Sequence, residues 1–167
     1  FAGGAMAVAE ACRNVACAGA RPIAVTACLN FGNPERPDVY FQLEECIRGM
    51  AAACETLGVP VVSGNVSLFN ESDGVAIYPT PVVGALGVLD DVSKAVPCGF
   101  QGEGDVVYLI GAGGEQRDGQ DVLAGDPLDL AGSEYLRQAH GLVAGSVRID
   151  LALEAHVQRS LVEGAAE

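Results

Sequence analysis

Val39, Leu43, Cys46, Ile47, Met50, Cys54 and Leu57 recur at helical spacing between two short apolar runs, residues 23–27 and 59–63. Apolar residues three or four apart make one stripe of a helix, and a short continuous apolar run makes a buried strand. Strand, long amphipathic helix and strand in succession predict an α/β fold. Asp38 offers this helix an N-cap and Gly58 stops it. Upstream, the Ala-rich stretch 6–18 reads as another helix, closed by Gly19. Downstream, residues 72–74 read as a turn, 76–89 as one extended strand or two, and Asp90, Asp91 and Ser93 open a connector.

The composition changes after Lys94. Residues 97–105 are rich in glycine and charge and read as a link between domains. The pattern then predicts a strand over 106–110 and a glycine- and aspartate-rich loop over 111–130. A short helix follows over 133–138, 141–145 connects, and a final helix is capped by Asp150. No internal repeat occurs. A chain of 167 residues can hold one ordinary domain or two small ones. Half of it is apolar but only 5% is aromatic and Trp is absent, so the core is built from Ala, Val, Leu and Ile.

The net charge of −13 repels nucleic-acid backbones and anionic membranes, so neither is expected as a partner. The same acidity requires cations or basic groups from elsewhere wherever a phosphate ligand binds. No run of about 18 apolar residues suggests a membrane helix. No charged segment followed by an apolar one suggests a signal peptide, and Phe1-Ala2-Gly3-Gly4 reads as the middle of a domain. The six cysteines, at 12, 17, 28, 46, 54 and 98, form no Cys-x-x-Cys pair and several sit in apolar patterns. Reduced, buried thiols in a cytoplasmic protein are the reading, ahead of disulfides or a metal site.

Two polar runs carry the chemistry: Leu29-Asn30-Phe31-Gly32-Asn33-Pro34-Glu35, and Ser63-Gly64-Asn65-Val66-Ser67-Leu68-Phe69-Asn70-Glu71. In the second, Gly64 allows a sharp turn whose successive N–H groups cradle an anion. Asn65, Asn70 and Glu71 offer the oxygen atoms that a hard cation such as Mg²⁺ prefers. A simple strand-ending turn is the plainer reading of the same residues. Asn30 and Asn33 read mainly as turn supports.

The stretch from Ala9 to Val92 closely resembles the synthetase subunit of phosphoribosylformylglycinamidine synthase, a purine-biosynthetic enzyme. The matching strings are Ala9-Glu10-Ala11-Cys12-Arg13-Asn14, Leu29 to Glu35, Arg48-Gly49-Met50, Gly58 to Ser67, and Pro79-Thr80-Pro81-Val82-Val83-Gly84. A fainter match runs on through Gly132-Ser133-Glu134-Tyr135. The resemblance implies a partial aminoimidazole-ribotide-synthetase-like N-terminal domain over residues 1–94, binding ATP and Mg²⁺. The start of its C-terminal companion domain would occupy 95–167. It also implies a piece from the second half of a longer enzyme.

The implied reaction converts formylglycinamide ribonucleotide, ATP and ammonia to formylglycinamidine ribonucleotide, ADP and phosphate. Ammonia would come from a glutamine amidotransferase subunit or domain, with a small accessory subunit as a further partner. By the same resemblance Gly64 borders the nucleotide, Asn65 ligates Mg²⁺ and Ser67 contacts the ribotide. Ala27 stands where the family commonly has an aspartate that helps hold the nucleotide, which favours an alternative: a non-catalytic lobe of the same enzyme. Aminoimidazole-ribotide synthetase itself is a third reading, opposed by the Leu29–Glu35 string. The remaining candidates are weaker. Gly111 to Gly114 lacks the spacing of a phosphate loop. Glu134 and Tyr135 read as helix packing and capping, with Ala131 where a glycine is usual. His140, His156, Glu44 and Glu45 read as solvent-facing.

Overall fold

The computed structural model describes residues 1–108, 110, 116, 117, 120, 121 and 130–166. Helix α1 (Ala2–Cys17) leads into strand β1 (Arg21–Asn30), helix α2 (Pro37–Leu57) and strand β2 (Val61–Ser67). A short hairpin of β3 (Glu71–Ser72) and β4 (Val75–Ala76) precedes the long β5 (Thr80–Val88). Helices α3 (Glu134–His140) and α4 (Leu151–Ala166) follow. The main sheet has the order β2-β1-β5, with β1 parallel to β2 and antiparallel to β5. This is the α/β architecture the pattern predicts.

Most boundaries follow from local chemistry. Gly58 takes a left-handed conformation (φ 69°) and its N–H bonds back to the Cys54 carbonyl, which stops α2. Asp73 and Gly74 have φ of 53° and 74°, the two positive values that a tight hairpin between β3 and β4 demands. Asp150 Oδ1 accepts from the Leu153 N–H, so the predicted cap forms, and Ser133, expected as the first residue of its helix, is instead the N-cap, its Oγ accepting from the Leu136 N–H. Asp38 does not cap α2. Pro37 occupies the first helical position, where its missing N–H costs nothing, and Asp38 lies inside the first turn, paired with Arg36 at 3.0 Å.

Residues 106–108 and 110 are not in a ladder, contrary to the strand expected there, and Val106, Val107, Tyr108 and Ile110 are exposed. Apolar content makes a strand only where a neighbour takes up its backbone hydrogen bonds, and among the described residues no strand pairs with these. The glycine run 111–114 lies outside the described residues.

One face of the sheet carries the core. Val25 and Leu29 of β1 pack with Ala5, Val8 and Cys12 of α1 and with Val39, Cys46, Met50, Ala53 and Cys54 of α2. Three of the six cysteines thus serve as small core residues and all six thiols are free. Burial pushes the Cys12 thiol up to about 11, with Cys54 and Glu154 adding to the effect. The two helices cross with their backbones nearly touching. A methyl group on Gly49 would sit 1.9 Å from the Phe1 carbonyl oxygen, and one on Gly4 would sit 2.2 Å from that of Cys46.

Helix α4 lies against α1 and α2. The Arg13 guanidinium grips Glu154 with two hydrogen bonds, 2.8 and 2.6 Å, and Gln158 donates to both the Ala9 carbonyl and Glu154. Burial opposes ionisation of Glu154, but the bonds from Arg13 and Gln158 outweigh it and hold the carboxyl below its ordinary value of 4.5.

Two outcomes follow in the full-length protein. Gly49→Ala lowers stability to urea by about 1–3 kcal/mol, because overpacking at a backbone contact forces the helices apart. Gly3→Ala, with nothing within 4 Å of the added methyl, raises it by about 0.5 kcal/mol. Equal effects would refute the close crossing. Because the folded-state value of Glu154 is depressed, its contribution to stability is complete above the ordinary carboxylate range. It is lost as the pH falls through the folded value. Glu154→Gln therefore flattens the acid limb of a Tm-against-pH curve, whereas an exposed pair such as Arg48–Glu45 leaves it unchanged when removed.

Candidate functional site

The carboxyl ends of the parallel strands β1 and β2 lie side by side, register Asn30 to Ser67, and open into the loops that follow. In open α/β sheets ligands bind at such ends. Main-chain bonds lace the loops together: Phe31 N–H to the Ser67 carbonyl (3.0 Å), Phe69 N–H to Gly32 (3.0 Å) and Asn70 N–H to Phe31 (3.1 Å). Phe69 holds a left-handed φ of 59° to make this fit.

The Ser63–Ser67 run is extended strand throughout, not the turn expected at Gly64. Gly64 has no positive φ, and no cradle of successive N–H groups forms there. Its lack of a side chain has another cause. A Cβ at Gly64 would lie 2.3 Å from the Ala27 carbonyl oxygen, so only glycine lets β2 come this close to β1.

The register divides the predicted site residues between two faces. Residues paired across the ladder point to the same side. Ala27 and Gly64 are partners on the helix-facing side, where Ala27 packs against the core. A groove of about 370 Å³ runs beside them at the sheet edge, bordered by Leu29, Val62 and Val66 and reached by the edge-strand residues Ser63 and Asn65 as well. Asn65 and Ser67 are on the opposite, open face, with Thr26, Cys28 and Asn30 of β1 and Ser63 of β2. Ser63 Oγ donates to Thr26 Oγ1 at 2.8 Å, and the carboxamides of Asn30 and Asn65 both reach Cys28 Sγ, at 3.6 and 3.8 Å. The structure thus brings Asn65 and Ser67 together and sets the Ala27 side chain apart from them.

Asn65 is exposed, and its Oδ1 accepts no hydrogen bond among the described residues. It can serve a cation as one neutral oxygen ligand. No cluster of three His, Cys, Asp or Glu side chains occurs among the described residues, so these residues fit Mg²⁺ only as a partial set beside phosphate oxygens. Asn70 is not available as a ligand in the way its sequence context suggests. Its Nδ2 donates to the Phe31 and Ser67 carbonyls at 3.0 Å each, and its carboxamide also meets Ser67 Oγ. Asn33 accepts from the Glu35 N–H at 2.8 Å and supports its turn, as expected.

Asn30, expected to support a turn, instead ends β1 and donates to the Thr80 carbonyl at 3.2 Å, in an open-face row with Thr26 and Cys28. Its period-two spacing was the available signal. His140 and His156 are exposed, as read; His140 stacks edge-on against Tyr135. Glu134 pairs with Arg137, which with Gln138 holds its carboxyl down at about 2. Two larger cavities, about 450 and 790 Å³, lie against α4, away from the strand ends. No helix among the described residues is long and apolar enough to cross a membrane.

Known proteins give this geometry a context. Residues 1–89 match the family described as AIR synthase related protein, N-terminal domain. The phosphoribosylformylglycinamidine synthase subunit PurL of Thermomicrobium roseum is 55% identical over 161 residues, 96% of this chain and 20% of that protein. Its counterpart from Moorella thermoacetica is 50% identical over 93% of this chain and 20% of its own length. The structure of PurLQS from Thermotoga maritima aligns with a TM-score of 0.54 at 40% identity, covering 58% of this chain and 16% of that one. The chain therefore spans about a fifth of the length of the curated relatives it matches. By the match of its first 89 residues the chain belongs to the AIR synthase related family.

Proposed function

We propose that this chain is part of the synthetase subunit of phosphoribosylformylglycinamidine synthase. That enzyme would convert formylglycinamide ribonucleotide, ATP and ammonia to formylglycinamidine ribonucleotide, ADP and phosphate in the cytoplasm. The observation that carries the reading is the 55% identity to a PurL subunit across 96% of the chain. The paired strand ends that present Asn65 and Ser67 on one face support it. In the reaction, ATP would transfer a phosphoryl group to the substrate amide oxygen, and ammonia would displace it as phosphate. Such chemistry asks a protein mainly for positioning and charge neutralisation.

In this reading Asn65 lends its Oδ1 to Mg²⁺ beside the nucleotide phosphates, and Ser67 holds the ribotide. Gly64 keeps the two strands close enough to set both. Residues 1–94 belong to the nucleotide-binding domain and 95–167 to its companion. Ammonia reaches the site from a glutamine amidotransferase partner, with a small accessory subunit completing the assembly.

A second reading, a lobe of the same enzyme that binds without catalysing, is favoured by Ala27. Its methyl packs against the core, where the family's aspartate would offer a carboxylate.

Steady-state kinetics on the full-length enzyme, varying Mg²⁺ and ribotide separately, test the first reading. Asn65→Ala is expected to raise the Mg²⁺ requirement with a smaller change in ribotide KM. Ser67→Ala is expected to raise ribotide KM and leave the Mg²⁺ dependence nearly unchanged. Identical profiles, or full activity in both, would remove the site assignment. Ala27→Asp addresses the second reading. A carboxylate there is expected to lower Tm without ligand, because it enters an apolar groove unpaired. It should tighten Mg-ADP binding by roughly 1–2 kcal/mol in titration calorimetry. Equal or weaker binding by the Asp variant places the nucleotide away from this groove.

A further inference from the structure

In a chain with 22 acidic and 9 basic residues, an arginine without a carboxylate is the exception. Arg13, Arg36, Arg48 and Arg137 each hold one. Arg21 and Arg159 have no ion pair and no side-chain hydrogen bond among the described residues. Both line the cavity of about 450 Å³ between the amino end of β1, the last turn of α2 and helix α4. Glu163, one turn beyond Arg159, lines it too and offsets only one of the two charges. Gln158 is a second and independent sign. It is only 5% exposed and borders the same cavity. Its Nε2 meets the Ala9 carbonyl at 3.1 Å and Glu154 Oε1 at 2.9 Å. Both partners only accept, so the atom that faces them is the nitrogen and the carboxamide cannot be turned over. Its Oε1 accepts no hydrogen bond among the described residues, and a carboxamide oxygen so enclosed calls for a donor. Thr56, on the same wall, gives it none, because its hydroxyl donates to the Ala52 carbonyl at 2.8 Å.

We propose that this cavity binds an α-amino acid with an apolar side chain. Its carboxylate goes to Arg21 and Arg159, whose forked N–H groups match a planar carboxylate. Its ammonium supplies the donor for Gln158 Oε1 and meets the Glu163 carboxylate. The last turn of α2 lies on the same wall, and carbonyls at a helix C-terminus carry the negative end of the helix dipole, which also favours a cation there. Pro22, Leu57, Ala155 and Val162 are the apolar walls left for the side chain. The volume is within the range of small-molecule sites. A bare phosphate or sulfate would satisfy the arginines but would bring no donor to Gln158 and would be repelled by Glu163. An amine without a carboxylate would leave both arginines as they are. The cavity is at the amino end of β1, opposite the end that carries Asn30, so the inference does not rest on the roles of Asn65 and Ser67.

The test is titration calorimetry on the full-length protein with L-leucine as the probe. Saturable binding is expected. Arg21→Gln and Arg159→Gln are each expected to weaken it roughly 10-fold or more, the size of a charge-assisted hydrogen bond. Both arginines are exposed and unpaired, so these variants keep the Tm of the wild type without ligand. Arg148→Gln removes another arginine without an ion pair, one that lines the other cavity against α4, and is expected to leave the affinity unchanged. Isocaproate, which lacks the ammonium, and isoamylamine, which lacks the carboxylate, are each expected to bind roughly 10-fold or more weakly than L-leucine. The absence of any heat of binding with L-leucine overturns the proposal. So does binding that neither Arg21→Gln nor Arg159→Gln weakens, because the amino acid is then elsewhere. Isocaproate binding as tightly as L-leucine overturns the amino-acid assignment, since Gln158 and Glu163 then take no part.

Discussion

The approach of β2 to β1 at Gly64 is the constraint on which the rest depends. Strand backbones pair at a fixed spacing, and here the Ala27 carbonyl oxygen fills the place of a Gly64 side chain. Parallel pairing brings two carboxyl ends to the same edge, and the loops beyond them interlock through Phe31, Gly32, Ser67, Phe69 and Asn70. Had β2 joined antiparallel, the two polar runs would lie at opposite ends of the sheet. The long helix between the strands makes the parallel arrangement possible, because such a crossover needs a dozen or more residues. The 21-residue α2 supplies it and buries Val39, Cys46, Met50 and Cys54 on the way.

Periodicity and punctuation made this part of the fold legible. Gly58, Asp150, Ser133 and the 72–74 turn do what their side chains or conformational freedom suggest. The failures have physical causes. The Gly64-Asn65 pair reads as a turn because glycine is usually placed for its own conformation; here it is placed for a neighbour's backbone, and single-strand patterns carry no information about the neighbour. Asp38 reads as a cap because aspartate suits that position, but Pro37 can begin the helix two residues earlier than that cap implies. Residues 106–108 and 110 have the composition of a strand, but among the described residues no strand pairs with them. Asn70 reads as an oxygen donor by residue type, yet its amide hydrogens are drawn to two carbonyls that only the folded loops bring together. The family resemblance, carried by rare strings in a fixed order, was legible where the geometry of the site was not.

The division of the site between two faces bears on how a chain of net charge −13 can handle phosphates. The open face gathers Thr26, Cys28, Asn30, Ser63, Asn65 and Ser67, none of them charged. Neutral amides and hydroxyls add no carboxylate to this face, which is what the proposed binding of a cation with its phosphates would require. Acidic residues lie in the segments beyond the strand ends, Glu35 and Asp38 after β1 and Glu71 and Asp73 after β2, and several across the chain are in short-range pairs: Glu45 with Arg48, Glu134 with Arg137, Asp38 with Arg36. The exposed pairs add little stability.

Ala27 sharpens the same argument. Its methyl is on the helix side, in contact with the core, and across the ladder from Gly64. A carboxylate at this position would enter the groove at the sheet edge, which Gly64, Asn65 and Val66 also line. Residues on alternate faces of a strand serve different neighbours. The alanine bears on the groove side of the strand, while the register sets Asn65 and Ser67 on the face shared with Thr26, Cys28 and Asn30.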